Sequence, residues 1–168
     1  SDFYTRLSQN KKIYQNFKSV YEAQGANKLN GERKKLLENE LRDYRLSGVD
    51  LADGEQKRYQ ELSKKLASLS AKFSDNVLDA TDHFVLDVTD FDRLQGLPEA
   101  IISEAKAKAA SLGKDGWSFT LKAPCWVPFM ESCFDRKLRE EMYRAYVTRA
   151  SDFGESQFDN SAIITDIL

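Results

Sequence analysis

The side chains that could act as nucleophiles or metal ligands are few in this sequence. It has a single histidine, His83, with Asp82 and Asp87 close by, and two cysteines, Cys125 and Cys133. A catalytic zinc usually needs three protein ligands, and a cysteine nucleophile needs a base such as histidine within reach. A metal site around His83 and a pairing of His83 with one of the thiols therefore stay open as hypotheses. We expect instead that His83 lies at the edge of a strand and is satisfied by a carboxylate.

The sequence motifs that mark metal or phosphate sites are absent. HExxH, GxGxxG and GxxxxGK[ST] do not occur, and the cysteines lack the spacing of a zinc knuckle. On one helix the two thiols would lie about 12 Å apart, too far for a disulfide, so we expect reduced, buried thiols of a cytoplasmic protein. Asp75 and Asp79 share a helical face, which we expect to be solvated. The residues alone therefore assign no catalytic, cofactor-binding or metal-binding side chain to this chain.

The composition is that of a soluble globular protein. At 168 residues the chain can bury one sizeable core, and residues 1–168 are expected to form a single domain. The 25 Lys and Arg and 27 Asp and Glu leave a net charge of −2 and are interleaved along the sequence, so nucleic-acid and membrane-surface partners are not expected. No apolar run is long enough to span a membrane, and no secretory signal is evident at the N-terminus.

The element that should position the rest of the chain is a long helix over residues 53–81. Its apolar residues recur every three or four positions, which places them on one stripe: Tyr59, Leu62, Leu66, Leu69, Phe73 and Val77. Asp53 with Gln56 three residues later predicts an N-cap and its capping-box partner. We expect this stripe to be buried, with everything else packed against it.

Two further helices are predicted before it. The first covers residues 2–21 and ends at Gly25, which can adopt the left-handed conformation of a helix C-terminus. The second begins after Asn30, a suitable N-cap, and ends near Leu46. The turn at residues 47–51 is short, so this helix and the long one are expected to form an αα-hairpin.

Beyond residue 81 the period of the apolar residues changes to two, which predicts a strand at residues 83–88 and a second at residues 117–121. A helix that starts near Pro98 and closes at Gly113 joins them, and the direction of pairing stays open. Three shorter helices follow. One lies between residues 124 and 133, and one begins at Asn160 or Ser161. The one between them is capped by Asp135, and its buried side is expected to carry Leu138, Met142, Tyr143 and Tyr146. The predicted fold is mainly α, a helical domain with a long αα-hairpin and a small two-stranded β element.

Several stretches occur in the order of one known family: LRDYRLSGVDL (residues 41–51), LASLSAKFSDNVLDAT (66–81), GLP (96–98), GWSFTL (116–121), LREEMYRAY (138–146), RAS (149–151), and Asp159 and Asn160 leading into Ile163 and Ile164. Together they resemble the N-terminal helical region of the thimet oligopeptidase (M3) family of zinc metallopeptidases, over residues 7–168.

The resemblance implies a cytoplasmic parent enzyme that hydrolyses short peptides. In that family, zinc is held by the two histidines of HExxH and a downstream glutamate, and none of those positions occurs in this chain. The chain would then be inactive alone and bind no zinc itself. It would form one wall of a channel that admits oligopeptides and excludes folded proteins. Surfaces that face the catalytic part would be exposed, which predicts self-association.

Two other hypotheses stay open. The chain could be a helical interaction module that uses the hairpin of residues 33–81 to bind a partner protein. It could also be a self-contained hydrolase that uses His83 and nearby carboxylates.

Overall fold

A computed structural model describes residues 2–24 and 30–168, and these residues form a mainly α-helical fold with one small sheet. The helices are α1 (Asp2–Ser8), α2 (Lys11–Gln24), α3 (Gly31–Leu46), α4 (Asp53–His83), α5 (Glu99–Ser111), α6 (Ala123–Ser132), α7 (Arg136–Thr148) and α8 (Ser161–Ile167). The strands are β1 (Val85–Val88) and β2 (Trp117–Thr120), and short 3₁₀ helices occupy Phe91–Leu94 and Ser156–Phe158. The predicted fold class is confirmed.

The first predicted helix is two helices, because Asn10 starts a new one. Its side-chain oxygen accepts the backbone N–H groups of Lys12 at 3.0 Å and Ile13 at 3.2 Å, which is the N-cap arrangement. The prediction of one continuous helix over residues 2–21 is therefore wrong. Gly25, the predicted end of that helix, lies outside the described residues. Asn30 caps α3 as predicted, since its side chain accepts the N–H of Arg33 at 3.0 Å.

The chain divides into two compact units, and the first extends to Ala67. Its core is small and aromatic: Tyr14, Leu41 and Val49 are buried, with Phe17, Tyr21 and Tyr44 packed against them. The Tyr14 hydroxyl donates to Asp50 Oδ2 at 3.0 Å. The predicted succession of α3, a short turn and α4 is present, but the extensive helix-to-helix packing in this unit is that of α2 along α3.

The N-terminus of α4 is capped differently from the prediction. The backbone N–H of Ala52 donates to Glu55 Oε2 at 3.2 Å, and the N–H of Gln56 donates to the Ala52 carbonyl at 2.8 Å. Ala52 therefore occupies the N-cap position, and Glu55 is the residue that reaches back. The predicted cap by Asp53 with Gln56 is wrong, since the Gln56 amide instead donates to the carbonyl of Gly48 at 3.4 Å.

The apolar stripe of α4 is covered only in part. Tyr59, Leu69, Phe73 and Val77 are half-buried, whereas Leu62 and Leu66 are 50% and 48% exposed. The buried residue of this helix is Ala80. The prediction that everything else packs against the stripe is wrong, because helical periodicity reveals which face is apolar but not what covers it.

The second unit, residues 68–168, is built around the sheet. β1 and β2 pair antiparallel, with Val85 opposite Thr120 and Val88 opposite Trp117. α5 packs on β2, and α6 packs on β2 and α7. The buried core is Leu86, Val88, Leu94, Leu97, Ala105, Phe119, Leu121, Phe129, Cys133, Leu138 and Met142. β1 begins at Val85 rather than at residue 83, because α4 continues through His83.

A tight turn at Gly96 brings two segments of this unit together. Gly96 has φ +89°, and a Cβ there would overlap the carbonyl oxygen of Ser132 and lie 2.6 Å from a ring carbon of Phe134. Beside it, the N–H of Phe134 donates to the carbonyl of Gln95 at 2.9 Å. Glycine is therefore required both for the left-handed conformation and for the close approach.

The C-terminal helices follow the sequence prediction closely. The Asp135 side chain caps α7 by accepting the N–H groups of Lys137 and Leu138. Leu138 and Met142 are buried as predicted, but Tyr143 is 52% exposed, so its predicted burial is wrong. The predicted start of the last helix is confirmed, because α8 begins at Ser161.

Asn160 ties the start of α8 to α4 within the second unit. Its side chain is almost completely buried. The Asn160 amide donates to the carbonyl of Phe73 at 3.1 Å, and its oxygen accepts from the Asn76 amide at 2.9 Å. Its backbone N–H donates to the carbonyl of Ala150, a residue with φ +54°. These bonds satisfy a buried polar side chain and fix the position of α8.

Candidate functional site

His83 lies at the C-terminal end of α4, not at a strand edge. Its Nε2 lies 3.4 Å from Glu155 Oε2, and its ring packs against Phe158 with the centroids 5.6 Å apart. The expectation that a carboxylate satisfies this histidine is confirmed, although the carboxylate comes from a distant part of the sequence. Asp82 and Asp87, which the sequence places near His83, were considered as companions in a metal site.

Those two carboxylates are held by lysines instead. Asp82 pairs with Lys122 at 3.1 Å. Asp87 accepts from Lys114 Nζ and from the Ser118 hydroxyl, each at 2.6 Å, and these hydrogen bonds lower the pKa of Asp87 below its usual value. The structure therefore does not assemble His83 and its neighbouring aspartates into one site.

The two cysteines are free thiols in separate environments. Cys133 is buried in the core, with its Sγ 3.8 Å from the carbonyl of Arg93. Cys125 is half-buried, and its Sγ accepts the backbone N–H of Thr120 at 3.4 Å. Burial raises the pKa of both thiols, which favours the unreactive protonated form. The prediction of free, buried thiols is confirmed for Cys133, whereas Cys125 is free but only half-buried.

The second unit has a concave pocket of about 250 Å³ between α5, β2 and the start of α6. Its lining residues are Ile101, Glu104, Ala105, Lys108, Ser118, Thr120, Lys122 and Cys125. The potential nucleophile here is the Cys125 thiol, whose pKa is raised, and the lining contains no histidine to act as its base. The pocket therefore lacks a thiol and histidine pair for covalent catalysis.

The described residues do not fit a zinc site. Across residues 2–24 and 30–168, no group of three or more His, Cys, Asp or Glu side chains lies close enough together to hold a metal ion. Asp75 and Asp79 are exposed on α4, as expected for a solvated face. In the same part of the chain, no helix combines the length and the apolar character that crossing a bilayer requires.

A polar contact of the second unit joins Arg93 and Asp135. Arg93 Nε donates to Asp135 Oδ2 at 2.7 Å, while Asp135 Oδ1 caps α7. The hydrogen bond from Arg93 and those from the backbone lower the pKa of Asp135. Sequence analysis found the cap, which is local, but not Arg93, which is distant in sequence and carries no periodic signal.

The Arg93 contact predicts a specific pH dependence for the variant Asp135→Asn. The asparagine oxygen can still cap α7, but the charge is lost. Because the pKa of Asp135 is lower in the folded than in the unfolded state, its charge stabilises the fold above the unfolded pKa of about 3.9, and this contribution is lost as the pH falls through the folded pKa. Urea unfolding should therefore show a stability deficit for the variant at pH 7 that shrinks below pH 4.

The exposed Asp75, changed to Asn in the same way, serves as the control and should alter stability little at either pH. A deficit for Asp135→Asn that is the same at pH 7 and pH 3 would contradict the assignment to charge.

Comparison with known proteins relates this sequence to one family. The profile of the Neurolysin/Thimet oligopeptidase N-terminal domain matches residues 1–57. Oligopeptidase A of Salmonella typhimurium is 39% identical over 170 residues, which cover all of this chain and 25% of that protein. Two Arabidopsis thaliana proteins match 99% of the chain: probable cytosolic oligopeptidase A (39% identity, 24% of its length) and the chloroplastic/mitochondrial organellar oligopeptidase A (38%, 22%).

These matches show that the chain is similar to the N-terminal region of the thimet oligopeptidase family. Its similarity to oligopeptidase A extends along its whole length. The chain spans about a quarter of the length of the relatives that it matches.

Proposed function

We propose that these 168 residues are a non-catalytic N-terminal part of a zinc-dependent oligopeptidase that hydrolyses short peptides. The parent protein would use zinc held outside this chain, and residues 1–168 would act as one domain that forms a wall of the substrate channel. The wall would restrict substrates by size, so that extended oligopeptides enter and folded proteins do not. The chain alone would be inactive, and the parent would work in the cytoplasm.

The observation that carries this proposal is the 39% identity to oligopeptidase A along the entire chain. The side chains of this segment also support a catalytic centre that lies outside it. The histidine is paired with Glu155, both thiols have raised pKa values, and the aspartates beside His83 are held by lysines. Peptide hydrolysis therefore needs residues that this chain does not supply.

The test compares the product of the complete gene with the 168-residue chain on an internally quenched oligopeptide. We expect cleavage only by the complete product, its loss on treatment with a zinc chelator, and its recovery when zinc is added back. A series of peptides of increasing length, ending with a folded protein that contains the same cleavable sequence, measures the size limit. Cleavage should fall sharply with length and be absent for the folded substrate.

The control is the complete product carrying His83→Ala, which should keep kcat/KM within about twofold of the original because His83 is outside the proposed chemistry. Cleavage by the 168-residue chain, or a large loss of kcat/KM in His83→Ala, would show that the chemistry lies within this segment. Cleavage of the folded substrate at the same rate as the short peptides would contradict the size restriction, but not the proposal that catalysis lies outside this chain.

A further inference from the structure

Two leucines on α4 are exposed, because no other described part of the first unit covers them. Leu62 and Leu66 are one helical turn apart, so their side chains lie next to each other on one face. Tyr59, one turn earlier, is half-buried and approaches the turn at Gly48, where its ring lies 3.5 Å from the position that a Cβ would take. Within the first unit, the covered part of the stripe thus ends at Tyr59, and the next two stripe residues, Leu62 and Leu66, are exposed to solvent.

The charges beside these leucines indicate what kind of surface could cover them. Arg58 and Glu61 pair with each other at 3.6 Å on the exposed side of the helix. This pair adds no net charge beside the leucines, and the other charges next to them in the sequence are Lys64 and Lys65. An apolar surface of another helix or sheet would match this face.

The chain accounts for about a quarter of the length of its relatives, so a full-length protein of this type has about three times as much further sequence. We propose that Leu62 and Leu66 form a docking surface for an apolar face of the part of the parent protein outside these 168 residues.

A second copy of the chain fits this surface less well. Stable association between two molecules generally buries about 1,200 Å² of surface or more, and it must overcome the loss of translational freedom. Contact within one polypeptide does not carry that cost, so a surface of two leucines is sufficient.

The experiment measures thiol accessibility in the full-length gene product. One variant carries Leu66→Cys and a second carries Leu62→Cys. The matched control is Lys57→Cys on the same helix, nine residues before Leu66 and therefore about half a turn round the helix axis. Each protein is labelled with iodoacetamide in native buffer and in urea, and the modified peptide is quantified by mass spectrometry. Circular dichroism verifies that each variant is folded.

We expect the native rate, relative to the rate in urea, to be at least tenfold lower at positions 62 and 66 than at position 57. Similar relative rates at all three positions would overturn the proposal. Protection that appears only as the protein concentration is raised a hundredfold would overturn it in favour of a second copy. The labelling does not depend on peptidase activity, so a parent protein that fails the chelator test could still confirm or contradict this surface.

Discussion

Replacing Gly96 by alanine is expected to destabilise the second unit by about 3 kcal/mol or more. The new methyl group would overlap the carbonyl oxygen of Ser132 and lie within 2.7 Å of two ring carbons of Phe134. The residue would also have to keep φ +89°, which strains any side chain that has a Cβ. The backbone hydrogen bond from Phe134 to Gln95 holds the two segments close together. The overlap can therefore be relieved only if these segments move apart. Urea unfolding of the variant and the original protein, monitored by circular dichroism, measures the difference.

Gly113 is the matched control, because it also has a positive φ, +68°, but nothing lies within 4 Å of its Cβ position. Gly113→Ala should therefore cost only the conformational strain, about 1 kcal/mol. If both variants lose the same amount of stability, the close approach at Gly96 contributes nothing and the prediction is wrong.

Replacing Asn160 by alanine should cost about 2–3 kcal/mol in the free energy of unfolding. Two side-chain hydrogen bonds are lost, and the half-buried Asn76 amide and the Phe73 carbonyl each lose a partner. Each net hydrogen bond contributes about 1 kcal/mol, and an unsatisfied buried group adds its desolvation cost. Urea unfolding monitored by circular dichroism measures this difference in stability. Hydrogen exchange of the α8 backbone amides should become faster, because α8 is held less firmly.

Asn76→Ala provides the comparison for Asn160. That variant removes one of the two bonds and leaves the bond from Asn160 to Phe73 intact, so its cost should be about 1 kcal/mol. An Asn160→Ala variant no less stable than Asn76→Ala would show that the bond to the α4 backbone does not hold α8 in place.

Local signals in the sequence were sufficient to predict most helices of this protein. Asn30 and Asp135 cap the helices that follow them, because an N-cap depends only on residues within one turn. The break at Asn10 was missed for a related reason. The apolar spacing continues across it, and periodicity does not register one capping side chain within an otherwise helical pattern.

Predictions that required knowing which segments meet were less successful. The stripe on α4 was expected to be the centre of the protein, yet two of its leucines, Leu62 and Leu66, are exposed and the main core surrounds Phe119 and Phe129. Likewise, the partner of His83 is Glu155, which no local pattern connects to it. Long-range pairing depends on the whole arrangement of elements, which one amphipathic helix does not determine. The family resemblance supplied the functional assignment that the side chains could not.

The antiparallel pairing of β1 with β2 also has a consequence for the order of folding. Val85 pairs with Thr120 and Val88 with Trp117, so β1 has no partner until all of α5 has been synthesised. The helices need only local contacts and can form earlier, whereas closure of the sheet must offset the entropy of the intervening loop. During translation β1 therefore remains an unpaired strand edge with two core residues, Leu86 and Val88, exposed. We expect this exposed edge to favour aggregation of the nascent chain until β2 has left the ribosome.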